Sequence, residues 1–336
     1  MNGAIIGFGG NGLRLGDYAV IENVVIAENQ KSGIYVGDGA IIRNIQALNN
    51  MENGIKCGKS SLVEKCLAQG NNIAGDASGI MVGNSSIVRN CVAEDNSYTG
   101  TTNKKVYGIR GGDDCLIEKN VAKGNENNCS VGGSGTYGIF GSARCRIMDN
   151  NASYNVGNTA ASGGGIYAGN SSIVTGNTCT YNSAVGDTGN GRGITADKNS
   201  TIADNICNYN QCNADTTGMA YGITVSDRCV VRNNICYNNK CTGSNTGMGI
   251  NVVGNDVRIE NNKCSYNTGG GDDSAGIFVY IMKSGCTVTG NKTDHNTAGI
   301  RLSNGSHYCA ENITRDGIVE TTGVTMGTGD RANVSF

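Results

Sequence analysis

The chain has 336 residues, a formal charge of −2 and a sequence pI near 5.8, and charged residues make up only 16% of it. A near-neutral balance with no basic stretch lacks the footprint that phosphate neutralisation demands, which excludes a nucleic-acid binder, and no run of about 18 apolar residues exists to span a membrane. With 53 glycines, 46 asparagines and neither proline nor tryptophan, the chain is either disordered or one that turns often and regularly, and periodicity decides which.

Residues 1–10 (MNGAIIGFGG) carry no basic n-region and no sustained apolar core, so they read as part of a repeat and not as a secretory signal. From there a glycine followed by an aliphatic residue recurs twelve times, at Gly12, Gly33, Gly54, Gly79, Gly108, Gly138, Gly165, Gly193, Gly222, Gly249, Gly276 and Gly299, at spacings of 21 to 30 residues. Seven residues on comes a small side chain: Ala19, Ala40, Ser61, Ser86, Cys115, Cys145, Ser172, Ser200 and Cys229. Fourteen on comes another, Ala47, Ala68, Ala93, Ala122, Ala152, Cys179, Cys207 and Cys236, with Cys264 at fifteen. Seventeen on stands asparagine in nine units, from Asn29, Asn50 and Asn71 through Asn239, and a second asparagine column starts at Asn120.

Matching residues at matching places in consecutive units stack, each about 4.8 Å above the last. The expectation is an all-β, single-chain, right-handed parallel β-helix of about 12 rungs with three short strands each. Alternate residues point inward, so Ile34, Ile55, Ile80, Ile109 and Ile139 form an aliphatic column, and Asn and Cys/Ser/Ala ladders line the interior. Ten residues after the glycine, Glu22, Arg43, Glu64, Arg89 and Glu118 alternate in sign and read as a stacked surface support. The coil is expected over 1–315, with 316–336 leaving the register to close its end through Val334 and Phe336. An uncapped first coil exposes strand edges, so a capping domain or a homo-oligomeric partner is expected over it.

Taken together these columns resemble the right-handed parallel β-helix proteins of the pectate-lyase-like superfamily, over residues 12 to about 314. That resemblance implies a three-sheet coil and, very often, polysaccharide as substrate or ligand; the protein is expected outside the cell or at its surface. It does not fix chemistry, because tailspikes, adhesins and coat-like proteins share the fold.

Fifteen cysteines is an odd number, and eight of them fall in the two small-residue columns, where they read as buried small hydrophobes. Cys212 and Cys241 differ, standing two residues after their ladder asparagines on adjacent rungs, within reach of a disulfide.

The connection from ladder asparagine to the next glycine is 3 residues after Asn29 and Asn50, but 7 to 12 from Asn71 to Asn267. Long loops leaving one corner of consecutive rungs form a wall beside the Gly-Ile-x-Val sheet, and the groove so made suits an extended polymer. Its floor is the outward residue two after each glycine: Met81, Arg110, Phe140, Tyr167, Thr195, Thr224, Asn251, Phe278 and Arg301. Phe140 and Tyr167 offer a flat surface to sugar rings, Tyr107, Tyr137 and Tyr221 stand where wall meets floor, and Arg110 suits a uronic acid carboxylate, or these side chains only cover the sheet.

Two sets of carboxylates are candidates for chemistry. Gly112-Asp113-Asp114-Cys115 resembles the paired-aspartate segment of polygalacturonases, where two carboxylates divide acid and base roles, although the Asn-Thr-Asp, Gly-His-Gly and Arg-Ile-Lys elements of that family are missing. Asp197 and Asp227, beside Lys198 and Arg228, suit a lyase centre holding Ca²⁺ and a base, or are paired surface charges. The resulting expectation is a protein that binds an extended acidic polysaccharide and degrades or modifies it as a lyase or hydrolase, with a non-catalytic adhesion or tailspike-like module as the alternative.

Overall fold

Register shows how the units meet. In the computed structural model Leu13 pairs with Ile34, Ile34 with Ile55, Ile55 with Ile80 and Ile80 with Ile109, every pairing parallel. The structure describes residues 3–71, 78–129, 135–158, 162–186, 189–213, 217–242, 245–280, 283–303, 305–320 and 324–335. Three long sheets result: a first of 13 strands running from Leu13–Leu15 to Ile318–Glu320, a second of 13 from Val20–Glu22 to Val324–Met326, and a third of 14 from Gly3–Ile6 to Val334–Ser335. This is the expected right-handed parallel β-solenoid. Within 316–336 the strands Ile318–Glu320, Val324–Met326 and Val334–Ser335 pair in turn with the first, second and third sheets. Val334 is exposed there, and Phe336 lies outside the described residues.

The interior is one continuous apolar column containing the expected isoleucines, and all fifteen cysteines are buried. Its polar part is satisfied rung by rung. Asn182 Oδ1 accepts from both the backbone N–H (3.1 Å) and the Nδ2 (2.9 Å) of Asn155, while its own Nδ2 donates to Ala152 O and Asn210 Oδ1, each at 3.0 Å. The pattern runs from Asn29 to Asn296, where Asp316 accepts in place of a further asparagine. A buried amide that meets all its partners costs nothing in lost hydration, which is why one residue type holds this corner in so many rungs. Cys66 and Cys91 hold the second ladder column before Asn120 takes it over, with the Cys91 N–H donating to Asn120 Oδ1. Arg43 bridges Glu22 (3.1 Å) and Glu64 (3.4 Å), and Arg89 meets Glu64 (3.1 Å), so the alternating charges do support the second sheet.

The insertions are more ordered than loops. Ser97–Gly100, Glu126–Cys129, Val156–Asn158, Ser183–Val185, Gln211–Cys212 and Lys240–Cys241 form a fourth, six-stranded parallel sheet. The first-sheet strands lengthen to meet it, from three residues in Ile34–Val36 to seven in Lys105–Gly111. The fourth sheet packs on these extensions through Tyr98, Val106 and Cys129, and through Cys212, Ala220 and Cys241. The result is a two-layer fin. Its layers are so close that a Cβ added at Gly163 or Gly191 would collide with the backbone carbonyls of Ser183 or Gln211. Several of the connecting tips, 130–134, 159–161, 187–188, 214–216 and 243–244, lie outside the described residues.

Candidate functional site

Where the fin meets the coil, the first-sheet strands bend. A Cβ built on Gly108 would face the interior, toward Asn125 Nδ2 and Ala122, and the next residue, Ile109, is also buried inside, so two successive residues point inward. First and third sheets converge at this corner and continue into two parallel layers, so the outer face must be concave along the fin's base. The side chains agree: Tyr107, Tyr137 and Tyr221 point away from the coil interior yet are only 4%, 9% and 7% exposed. Six fin rungs at about 4.8 Å spacing make a corner on the order of 25 Å long.

The expected aromatic residues gather here. Tyr107 lies 5.1 Å from Phe140 and Tyr137 5.4 Å from Tyr167, with ring planes inclined at 59° and 61°. Arg110 stands over the rings of Tyr107 (5.2 Å) and Phe140 (5.8 Å). Phe140 and Tyr167, however, stack on each other at 5.0 Å and 4°. Their faces are spent on one another, so this pair offers ring edges along the groove and not the flat platform expected from the sequence. Tyr221 belongs to a separate apolar cluster with Met248, Ala275, Phe278 and Ala298.

The carboxylates do not converge. Asp113 and Asp114 both meet the exposed guanidinium of Arg144, at 3.2 and 2.7 Å, and Asp113 Oδ1 accepts the Ala143 N–H of the next rung. Arg144 holds the Asp114 carboxyl below its usual range. This is a turn ladder, repeated where Asp17 accepts from the Asp38 N–H and Asp38 from the Lys59 N–H. Asp227 has the same place, accepting from the Asn255 N–H at 2.9 Å and meeting Lys198 at 3.1 Å, both of which hold its pKa down. Arg228 donates to Asn199 Oδ1 at 2.8 Å. Asp197 alone faces the floor, where Tyr167 donates its hydroxyl to Asp197 Oδ2 at 2.6 Å; burial first and the carboxylate second push that phenol up. Asp113 lies three rungs before Asp197, about 14 Å along the axis, so the two sets are separate places and not one centre. Among the described residues no three His, Cys, Asp or Glu side chains gather as a metal site. The thiols of Cys212 and Cys241, on paired strands, donate to Gly189 O (3.1 Å) and Gly218 O (3.3 Å).

Two features escaped the sequence reading. On the fin's other flank Tyr154, Tyr181 and Tyr209 stack at 4.9 Å per step, and Tyr237, Tyr266 and His295 continue the row. Three of these tyrosines recur sixteen residues after their glycines, a column that would have disclosed the row. The second is a group of polar atoms on the floor: Arg192 Nε, Thr195 Oγ1, Thr224 Oγ1 and Asn251 Oδ1 are buried with no hydrogen-bond partner among the described residues. A depression of about 430 Å³ lies elsewhere, between the second and third sheets beside Asn44, Lys65 and Asn90, and shares no residue with the groove.

No family model matches the chain, and no curated protein matches it. Among solved structures it is similar to the Dettilon tailspike protein gp208, at 14% identity over 94% of this chain and 61% of that one, with a TM-score of 0.47. It is also similar to a double mutant of the periplasmic alginate epimerase AlgG (15% identity, 91% and 68%, TM-score 0.45) and to the A-module of Azotobacter vinelandii mannuronan C-5 epimerase AlgE4 (11%, 97% and 91%, TM-score 0.34). The chain thus spans about 61% of the tailspike's length. At these similarities the likeness carries no functional argument. No helix among the described residues is long and apolar enough to cross a membrane.

Proposed function

We propose that the protein binds an extended acidic polysaccharide along the base of the fin, outside the cell or on its surface. What supports this is the corner inferred where the six fin strands leave the coil, along which Tyr107, Tyr137, Phe140 and Tyr167 stand in contact with one another. A long straight cleft fits a polymer better than a compact metabolite. Arg110 has no carboxylate partner among the described residues, so its charge is available to an acidic chain.

A second reading, that the groove also cleaves its ligand, is favoured by the Tyr167–Asp197 contact: a carboxylate able to take a proton beside a phenol able to give one. Asp113, Asp114 and Asp227 are already engaged in turn ladders and are weaker candidates. The test is affinity electrophoresis in polygalacturonate, alginate and glycosaminoglycan gels, with parallel assays for unsaturated uronates and reducing ends. Retardation by an acidic chain, weakened in Arg110→Ala, is expected. Free migration in every gel would overturn the binding reading. Unsaturated product lost in Asp197→Asn would establish a lyase, whereas retardation without product leaves a binding module.

A further inference from the structure

We propose that Arg192, Thr195, Thr224 and Asn251 form a subsite for one carboxylate-bearing sugar of the bound chain, an inference that rests on the polysaccharide reading above. Thr195 pairs with Thr224 and Thr224 with Asn251 on successive first-sheet strands, and Arg192 pairs with Tyr221 one step toward the fin. The four therefore occupy one continuous patch of the groove. Arg192 and Thr195 stand in the strand as Tyr107 and Arg110 do, separated by the two inward residues Gly193 and Ile194, and in that earlier rung the two outward side chains touch.

Each of the four presents a buried polar atom without a partner among the described residues, and Asn251 as a whole is only 4% exposed. Such atoms are costly in a folded chain and are ordinarily satisfied. Seven other such atoms occur among the described residues, on Ser78, Thr293, Asp294, His295, His307 and Thr314, all outside this patch, whereas the ladder amides such as Asn182 are fully satisfied. Four gaps side by side on the one face already identified as a groove point to a ligand that fills them. The patch also separates two aromatic stretches of the floor. On its near side Tyr137 lies over Gly164 and Phe140 stacks on Tyr167; Tyr221 and Met248 flank it on the strands of Thr224 and Asn251, and Phe278 follows Asn251 on the next rung.

The chemistry of the four is complementary to a uronate. Arg192 has no carboxylate partner among the described residues, and a guanidinium grips a carboxylate in a two-pronged fork. Threonine hydroxyls and an asparagine amide both donate and accept, which matches sugar hydroxyls.

The experiment compares the wild-type protein with Arg192→Gln, Arg192→Lys and the double variant Thr195→Val/Thr224→Val. Binding is titrated against alginate and against the same alginate with its carboxyl groups reduced to alcohols, and melting temperature is recorded for each protein. Arg192→Gln should lose roughly tenfold or more in affinity for alginate and little for the reduced chain, with Arg192→Lys between. The double valine variant should bind both chains more weakly while melting at a higher temperature, because each buried orphan hydroxyl is replaced by a methyl of the same shape. A purely structural role would raise the melting temperature and leave affinity alone. Wild-type binding unchanged in Arg192→Gln, or lost equally for both chains, overturns the subsite and leaves the polysaccharide reading standing. Failure of the wild type to bind any chain overturns both.

Discussion

Between Asn29 and Gly33 the chain turns with three residues, whereas between Asn125 and Gly138 it uses twelve and builds parts of two further strands. Inside the coil the two regions are alike: Ile34 and Ile139 are both fully buried in one core, and Asn29 and Asn125 stand in one ladder. Outside they differ at a single corner. In the early rungs that corner is a tight turn, and the first-sheet strand offers only Tyr35 or Lys56 to solvent. In the middle rungs it carries the fin, and with it the concave floor, the aromatic cluster and the unsatisfied polar patch. A solenoid can therefore add a binding face without altering its interior, because each rung contacts its neighbours through the same columns whatever the corner carries.

The largest expected effect tests whether the fin is two packed layers. Alanine at Gly191 would drive its methyl into the Gln211 backbone, which cannot move aside without breaking the fourth sheet. Overpacking of this kind costs about 3 kcal/mol. Gly16, in an early rung, has open space around its missing Cβ, so Gly16→Ala should be neutral. Thermal unfolding together with limited proteolysis separates the cases. Rapid cleavage of the fin with an intact coil would show that the fin opens by itself, and an unchanged melt with no new cleavage would refute the two-layer packing.

The shared interior gives the next effect. Asn182→Ala removes an acceptor from two buried Asn155 donors and takes the side-chain donor from Ala152 O and from Asn210 Oδ1, which keeps only the Asn182 backbone N–H, for about 2–3 kcal/mol. Asn29→Ala sits near the first rung, where its Oδ1 accepts from the part-buried Phe8 N–H, and should cost about half as much. Equal losses in denaturant titrations would mean that the ladder acts as one cooperative unit, ends included.

How much of this was legible follows from what repeats. Stacking imposes the same demand on every rung, so Ile109, Ala122 and Asn125 appear in columns that sequence alone exposes. The fin strands are short and polar, such as Ser97–Gly100 and Val156–Asn158, and lack the apolar alternation that marks a half-buried strand, so they read as loops. Their order comes from pairing with one another and from glycines small enough to let two layers touch. Tyr107 and Tyr137 were legible as corner residues because they precede the repeat glycine. That Phe140 and Tyr167 hide each other's faces was not, since it depends on ring orientation. Arg192 gave no signal at all, because what distinguishes it is the absence of a neighbouring carboxylate among the described residues, a property of space and not of spacing.

The smallest effect contrasts the finned middle with the last rungs through pH. His307, in the second sheet beyond the fin, is buried, and burial pushes its imidazole below the ordinary 6.5. The unfolded chain therefore takes up a proton there that the folded chain resists, so this contribution is complete above pH 6.5 and is lost as pH falls from there through the lower folded value. Asp227, on a finned rung, is held below its ordinary 3.8 by the Asn255 N–H and by Lys198, so its contribution survives further down and is lost only as pH falls below 3.8 through the folded value. Melting temperature against pH should thus decline in two stages, the first absent in His307→Phe and the second reduced in Asp227→Asn. Hydrogen exchange places the stages: the earlier should loosen Ile300–Leu302 and His307–Ala310 while Met219–Val225 stays protected. If both regions loosen together in the first stage, the end rungs and the finned rungs unfold as one body, and the contrast between them is confined to their surfaces.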